Sequence, residues 1–205
     1  MKLRLRSGRP DALADLNERE RAAWTLFPAD MRAFYEEHNG GFPRDELAFD
    51  VPMTRTMKGK THHGQTSGLR SLWAYMPMRV KPAANRPASI LREHFGRHVG
   101  EKFLPRNVFV FGDTPSDSLL AVSLNEHDHG EIYYWEWYWR YPWFEPFFMA
   151  RVHEAKKRFA KGRRDLAGRE LPAEHDEGDA LNYATLVSVA ASFDAWTEGL
   201  RVEEE

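Results

Sequence analysis

Three short apolar runs in the middle of the chain, separated by polar turns, constrain the fold most strongly. Residues 108–111 lead through a turn at 112–117 into residues 119–124, and a second turn at 125–130 leads into residues 132–141. Runs of this length, bounded by Gly, Asp and Asn, are typical of strands joined by hairpin turns. Because short turns can join only antiparallel neighbours, the sequence predicts an antiparallel meander.

The segments on both sides of this meander have helical spacing. Asp11 can cap a helix that extends to Phe27, and Pro28 opens a second helix that ends at Asn39-Gly40-Gly41. Apolar periodicity predicts further helices over residues 69–76, 90–99, 147–159 and 186–200. Leu47, Phe49 and Val51 alternate as in a short strand, and residues 53–68 are predicted to form a mobile basic loop or the tip of a long hairpin.

These elements define a fold class. We expect an α+β fold in which a curved antiparallel sheet, the meander, is flanked by N-terminal and C-terminal helices. A chain of 205 residues is the size of one large domain, so we expect a single domain over residues 1–205. The stretch at about 141–180, rich in Lys and Arg, is expected to be a basic helical insertion within that domain.

Charge and composition exclude several classes of protein. The chain has 29 Lys and Arg against 31 Asp and Glu, so its formal net charge of −2 argues against a general nucleic-acid binder. It has no cysteine, which removes disulfides and thiolate chemistry. No apolar run approaches the roughly 18 residues needed to cross a bilayer, and the basic start lacks the apolar stretch of a secretory signal. We therefore expect no membrane contact and a cytoplasmic location.

Signatures of catalysis are missing from the sequence. Ser116 and Ser118 lack the glycine pattern of a nucleophile elbow, and there is no glycine-rich phosphate loop. The one histidine grouping with any likeness to metal-ligand spacing comprises His62, His63, His127 and His129. Such pairs without a fixed third ligand are more often solvated loop residues. We predict no catalytic residue, metal or cofactor, and keep a hydrolase built on these histidines as an alternative.

The central segment is locally anionic and aromatic, which is typical of a protein-binding surface. Between Arg106 and Arg140 there is no Lys or Arg, whereas six acids occur there. Strand alternation directs Tyr133 and Trp135 toward the core, and it directs Tyr134, Glu136 and Tyr138 toward the other face. A half-exposed strand of this composition can equally be an ordinary solvated face. If the segment binds a partner, the predicted contact residues are Tyr134, Glu136 and Tyr138. The acidic residues that would attract a basic partner are Asp113, Asp117, Glu126, Asp128 and Glu131.

Three segments together resemble the SUKH superfamily, the group that contains the yeast cell-wall regulator domain and many bacterial immunity proteins. Residues 26–41 are similar to the family's proline-opened helix with aromatic positions that ends in Asn-Gly. Residues 108–113, 119–124 and 130–135 resemble its central meander, and residues 190–196 resemble its closing helix with a Ser-Phe pair. The stretch from 141 to 179 is longer and more basic than the family pattern, and residues 53–68 have no counterpart in it.

The resemblance implies a non-catalytic protein with a protein partner. Members typically bind and neutralise a cognate polymorphic toxin, often a nuclease or a deaminase, so the expected partner is a cognate protein toxin. An acidic, aromatic domain could block a nuclease by occupying the basic surface that holds phosphates. A regulatory scaffold of the cell-wall type, which binds host proteins through the same fold, is the alternative that the resemblance leaves open.

Overall fold

The computed structural model describes residues 3–57, 60–80, 87–94, 103–136 and 147–202. Helices and strands are interspersed along the chain, so the α+β class is confirmed. The helices are α1 Glu18–Trp24, α2 Ala29–Glu37, α3 Ile90–Glu93, α4 Phe147–Ala160, α5 Glu177–Tyr183 and α6 Phe193–Glu198. The strands are β1 Leu5–Arg6, β2 Phe42–Pro43, β3 Leu47–Met57, β4 Lys60–Leu69, β5 Ser71–Leu72, β6 Val108–Asp113, β7 Leu119–Ser123, β8 Ile132–Trp135, β9 Leu186–Ala190 and β10 Arg201–Val202.

The strands form three antiparallel sheets. The largest has five strands in the order β5-β6-β7-β8-β9, and its centre is the meander that the sequence predicts. A three-stranded sheet has the order β10-β3-β4, and β1 pairs with β2. Strands β3 and β4 are paired from Leu47 and Leu69 outward to Met57 and Lys60, so residues 53–57 and 60–68 belong to a long hairpin.

The β3–β4 hairpin packs over one face of the five-stranded sheet. Phe49 of β3 lies with its ring centre 6.2 Å from that of Tyr134, and Gln65 Nε2 of β4 donates a hydrogen bond of 3.3 Å to the Tyr134 hydroxyl. Helix α6 packs beside the hairpin, where Trp196 contacts both Phe49 and Phe111. This face of the meander is therefore interior, and one hydrophobic cluster includes side chains from Leu3 to Leu200.

The first predicted helix is wrong in one respect, since it is broken in two. A turn of 3-10 helix covers Pro10–Leu13, and α1 begins only at Glu18. Asn17 stops the chain from continuing as one helix, because its side chain accepts from Glu20 N and the Glu20 carboxylate accepts from Asn17 N. This reciprocal capping box starts a new helix at the polar turn of the apolar pattern.

Two further helix predictions are wrong, and both segments are strands or extended chain. Residues 71–76 comprise β5 and the extended chain that follows it, and all of them are buried. Strand β5 lies between Gly41, just after α2, and β6. Residues 186–190 form β9, paired with β8, and a separate helix α6 follows, capped by Ser192. In both segments pairing with a neighbouring strand overrides the helical spacing. Helix α5 begins at the end of the stretch, about 141–180, that the sequence predicts to be a basic helical insertion, and it extends beyond that stretch.

One further helix prediction is confirmed, and two predictions extend beyond the described residues. Helix α4 agrees with the helix predicted over residues 147–159. The helix predicted over 90–99 is described only as α3, and 95–99 lie outside the described residues. Strand β8 is described as Ile132–Trp135, and the predicted continuation from 137 to 141 lies outside as well. Within the described part of the chain, no helix combines the length and apolar character needed to span a membrane.

Asn39 does more than end α2. It is fully buried and has a φ of 46°, a left-handed conformation that Asn tolerates better than most residues. Its Nδ2 donates to Arg9 O at 2.7 Å and to Tyr75 O at 3.0 Å, and its Oδ1 accepts from Tyr75 N at 2.7 Å. One side chain thus joins the N-terminal segment, the end of α2 and the buried extended chain.

Replacing Asn39 by alanine is expected to lower the free energy of unfolding by about 3 kcal/mol, since the buried N–H and C=O of Tyr75 lose their partner and Arg9 O keeps only the bond from Ala12 N. Urea unfolding followed by tryptophan fluorescence measures the loss. Asn39→Gly is the informative control, because glycine keeps the left-handed backbone but lacks the amide. A stable glycine variant would show that backbone conformation, and not the hydrogen bonds, explains this position.

Candidate partner-binding cleft

Three of the predicted contact residues are buried. Tyr134 is 2% exposed, and Asp128 and Glu136 are each 6% exposed, so the prediction that they lie on an accessible face is wrong. The reason is that both faces of β8 are covered, one by the β3–β4 hairpin and the other by a polar network described below. Tyr138 lies outside the described residues.

Asp113 and Asp117 are accessible in part, but their charges are compensated. Arg70, which follows β4, pairs with Asp113 at 2.5 Å and with Asp117 at 2.8 Å. Ser71 Oγ also donates to Asp113 Oδ1 at 2.5 Å. The two carboxylates therefore close the turn after β6 onto the end of the hairpin, and their steering effect on a partner is smaller than the local sequence predicts.

Glu131 is likewise paired with a cation that is distant in sequence. Arg169 forms an ion pair with Glu131, donates through Nε to Asp165 Oδ2 at 2.8 Å, and donates through Nη2 to the Tyr133 hydroxyl at 2.8 Å. The guanidinium thus holds the 165–169 turn against the start of β8 with all three of its nitrogens. Charge-assisted bonds of this kind fix geometry as well as add stability.

Asp128 is the centre of the buried polar network. Its side chain is completely buried and accepts from Ser123 Oγ at 2.5 Å, from Tyr133 OH at 2.7 Å and from Tyr183 OH at 3.0 Å. Burial, with a further contribution from Asp128, raises the pKa of both Tyr133 and Tyr183, so both phenols remain donors. The predicted steering charge is therefore a structural acceptor that joins β7, β8 and α5.

The network continues through Asn125 to His175, Asp179 and Arg106. Asn125 Nδ2 donates to Tyr183 OH at 2.8 Å, and its Oδ1 accepts from His175 Nε2 at 3.2 Å. His175 Nδ1 then lies 3.4 Å from Asp179, which pairs with Arg106 at 3.3 Å. Burial lowers the pKa of His175, against the opposing attraction of Asp179. A continuous polar chain thus links Arg169 with Arg106.

Acidification is expected to destabilise the fold because two buried histidines resist protonation. Burial lowers the pKa of His94 from 6.5 to about 4, and it also lowers that of His175. The unfolded chain binds these protons below pH 6.5 and the folded chain does not, so stability is full above pH 6.5 and is lost as the pH falls toward 4. His94 alone accounts for about 2 kcal/mol between pH 6.5 and 5.

Urea unfolding at a series of pH values measures this slope. In a His94→Gln variant the part of the slope that belongs to His94 should disappear, because glutamine does not titrate, and the part that belongs to His175 should remain. A free energy of unfolding that stays constant between pH 6.5 and 5 in the parent chain would contradict the assignment of a neutral, buried His94.

A cleft with a mainly polar and charged lining lies beside this network. It has a volume of about 560 Å³, and its lining includes Glu126, His127, His129, Glu131 and Arg169 on one side and residues 188–191 on the other. Glu126 is exposed, and the described residues form no ion pair with it. Asp128 and Arg169 form several hydrogen bonds to the elements that line the cleft, so the cleft is built on a well-braced part of the fold.

The histidines that the sequence groups together lie on separate elements. His62 and His63 lie on β4, whereas His127 and His129 follow β7. His129 Nε2 is 2.9 Å from Leu26 O, so it is engaged with the end of α1. Among the described residues no group of three or more His, Asp or Glu side chains could hold a metal ion.

Sequence reasoning missed the residues that brace the cleft. The patterns in the sequence assign no contact role to Arg70, Arg169, Tyr183 or Asp179. One local signal did exist, since Asp176 and Asp179 form a capping box at the start of α5. The pairing of Arg169 with Glu131, 38 residues away, has no local signal in the sequence.

The fold and the cleft define a class of protein. The chain is an α+β protein in which a five-stranded antiparallel meander carries a polar cleft at the β7–β8 turn. The chain belongs to the SMI1 / KNR4 family (SUKH-1), whose model matches residues 12–150. This membership confirms the resemblance noted from the sequence and is consistent with a role in immunity. No curated protein and no solved structure matches the chain.

The family match divides the cleft into two parts. Glu126, His127, Asp128 and Glu131 lie within the matched residues 12–150, whereas Arg169 and residues 188–191 lie beyond them. The partners of Asp128 divide in the same way, since Ser123 and Tyr133 are inside the match and Tyr183 is outside it. The C-terminal part of the chain therefore completes a site that the family region begins.

Proposed function

We propose that this chain is a non-catalytic immunity protein that binds and neutralises a cognate bacterial protein toxin. The proposal rests on membership of the SMI1 / KNR4 family (SUKH-1). The cleft supports it, since a rigid polar cleft with an uncompensated exposed carboxylate is suited to recognition of a basic protein surface. A nuclease or a deaminase is the kind of toxin that this proposal favours, because such enzymes hold nucleic-acid phosphates with basic surfaces.

The contact surface is revised from the one that the sequence predicts. Glu126 and Glu131 are proposed to contact the toxin directly at the cleft, and Asp117 is proposed to contribute at the edge of the sheet. Asp128, Tyr134 and Glu136 are proposed to support the surface from inside, because they are buried. Asp113 is proposed to act through its pairing with Arg70, by fixing the turn that presents Asp117.

Co-expression with the product of the adjacent gene tests the proposal. We expect this product to stop growth when expressed alone, and we expect the chain to restore growth and to co-purify with it. A toxic neighbour that is neither rescued nor bound would contradict the proposal. A harmless neighbour, together with host proteins recovered in pull-downs, would also contradict it and would favour the regulatory scaffold.

A further inference from the structure

The buried imidazole of His127 marks the floor of the cleft. Its side chain is 10% exposed, and neither ring nitrogen has a hydrogen-bond partner among the described residues. A buried polar atom without a partner is costly, and native structures contain few of them. Because His127 lines the cleft, a group bound there is well placed to supply the missing partner.

The surroundings of His127 indicate which kind of group this is. Its Nδ1 lies 3.6 Å from the Asp128 carboxylate, which can only accept, so the proton of the neutral ring is favoured on Nδ1. The Nε2 atom is then an acceptor that requires a donor. His175, 5.9 Å away between ring centres, and Tyr183, at 5.5 Å, are both engaged in the network and provide no donor to it.

The charge at the cleft favours a cationic donor. The carboxylates of Glu126 and Glu131 line it, with the buried carboxylate of Asp128 beneath them, against the one guanidinium of Arg169. That guanidinium is already bonded to Glu131, to Asp165 and to the Tyr133 hydroxyl. An orphan acceptor surrounded by excess negative charge is matched by a side chain that is both a donor and a cation.

We propose that the cleft receives an arginine or lysine side chain of the partner protein, with Glu126 as the ion-pair partner and His127 Nε2 as the acceptor at its floor. This inference rests on the proposed function, since it takes the cation to be part of the toxin. It adds the chemistry of the contact: one basic side chain inserted between the β7–β8 turn and residues 188–191.

The inference can be tested without the toxin. The probes are N-acetyl-arginine amide, N-acetyl-lysine amide and the neutral isostere N-acetyl-citrulline amide, titrated into the full chain while the His127 ring signals are followed by NMR. We expect saturable shifts with at least one cation, at a dissociation constant on the order of 1 mM, and none with citrulline. The stronger of the two cations identifies the side chain that the cleft favours.

Two variants and a matched control assign the binding to the cleft. Glu126→Lys and His127→Phe should each weaken binding of the cationic amide by about tenfold or more. Glu198→Lys makes the same charge change at an exposed position on α6 that does not line the cleft, and should leave binding unchanged. For His127→Phe, whose own ring signals are lost, the shifts of neighbouring backbone amides report binding.

The outcomes separate this inference from the proposed function. Absence of a saturable shift with either cation, equal shifts with citrulline, or unchanged binding in Glu126→Lys would overturn the inference. Rescue of growth in the co-expression experiment together with any of those results would overturn the inference alone. Binding of the cationic amide without rescue would overturn the proposed function and leave the cation site in place.

Discussion

An Asp128→Ala variant is expected to lose about 4 kcal/mol of unfolding free energy, among the largest effects of any single substitution in this chain. The substitution removes the acceptor of three hydroxyl groups, those of Ser123, Tyr133 and Tyr183. All three are then left in a buried site without that partner. Because these hydroxyls belong to β7, β8 and α5, the loss also separates the C-terminal segment from the sheet.

Chemical denaturation of Asp128→Ala, compared with the parent chain, measures this effect. Glu126→Gln is the matched control, since it removes a carboxylate two residues away in an exposed position and should change stability by less than about 0.5 kcal/mol. Tyr183→Phe removes one of the three donors and should give an intermediate loss. If Asp128→Ala were as stable as Glu126→Gln, the network would not hold the fold together.

Replacing Phe193 by alanine is expected to cost a similar amount, about 4 kcal/mol, for an apolar reason. Its ring is fully buried and lies 5.0 Å from that of Phe34, 5.6 Å from that of Trp196 and 5.7 Å from that of Phe111. Truncation opens a cavity between α2, α6 and β6, and aromatic neighbours on three sides cannot collapse into it.

The same denaturation experiment checks this prediction with two controls. Phe193→Leu keeps most of the volume and should lose clearly less than the alanine variant. Leu26→Ala removes an apolar side chain that is 60% exposed and should be nearly neutral. Partner affinity of the folded Phe193→Leu protein should stay unchanged, since Phe193 does not line the cleft. A Phe193→Ala variant as stable as Leu26→Ala would contradict its place in the core.

The parts of the fold that the sequence predicts correctly are those determined by local signals. The turn at 112–117 and the polar turn before β8 specify the meander, because short turns between apolar runs leave one way to pair the strands. Asn39 and Gly40 end α2 as predicted, although the bonds of Asn39 to Arg9 and Tyr75 could not be deduced from the sequence.

The errors arise where distant segments decide the outcome. Leu186 and Val187 fit a helical pattern, yet they pair with Trp135 and Tyr134 of β8 and become the edge of the sheet. The anionic segment is compensated by Arg70, 43 residues before Asp113, and by Arg169, 38 residues after Glu131. A charge count within a window cannot include such partners, so the predicted steering effect was too large.

The candidate site shows the same division between local and distant information. Glu126 and Glu131 follow from the acidic character of the β7–β8 turn, and both line the cleft. The sequence indicates only a possible metal-ligand role for His127. Its burial between Asp128, His175 and Tyr183 cannot be predicted locally, because it depends on the approach of α5 and the segment before it. Tyr134 was placed outside because the long hairpin that covers it could not be distinguished from a loop.

The affinity of the purified chain for the product of the adjacent gene, measured by calorimetry alongside inhibition of that product's activity, is the decisive measurement for the proposed immunity role. This role predicts a stoichiometric complex that abolishes the activity. It also predicts an affinity about 30-fold lower for Glu126→Lys and an unchanged affinity for Glu198→Lys. A product that does not bind, or that binds without losing its activity, would contradict the claim that this chain is an immunity protein.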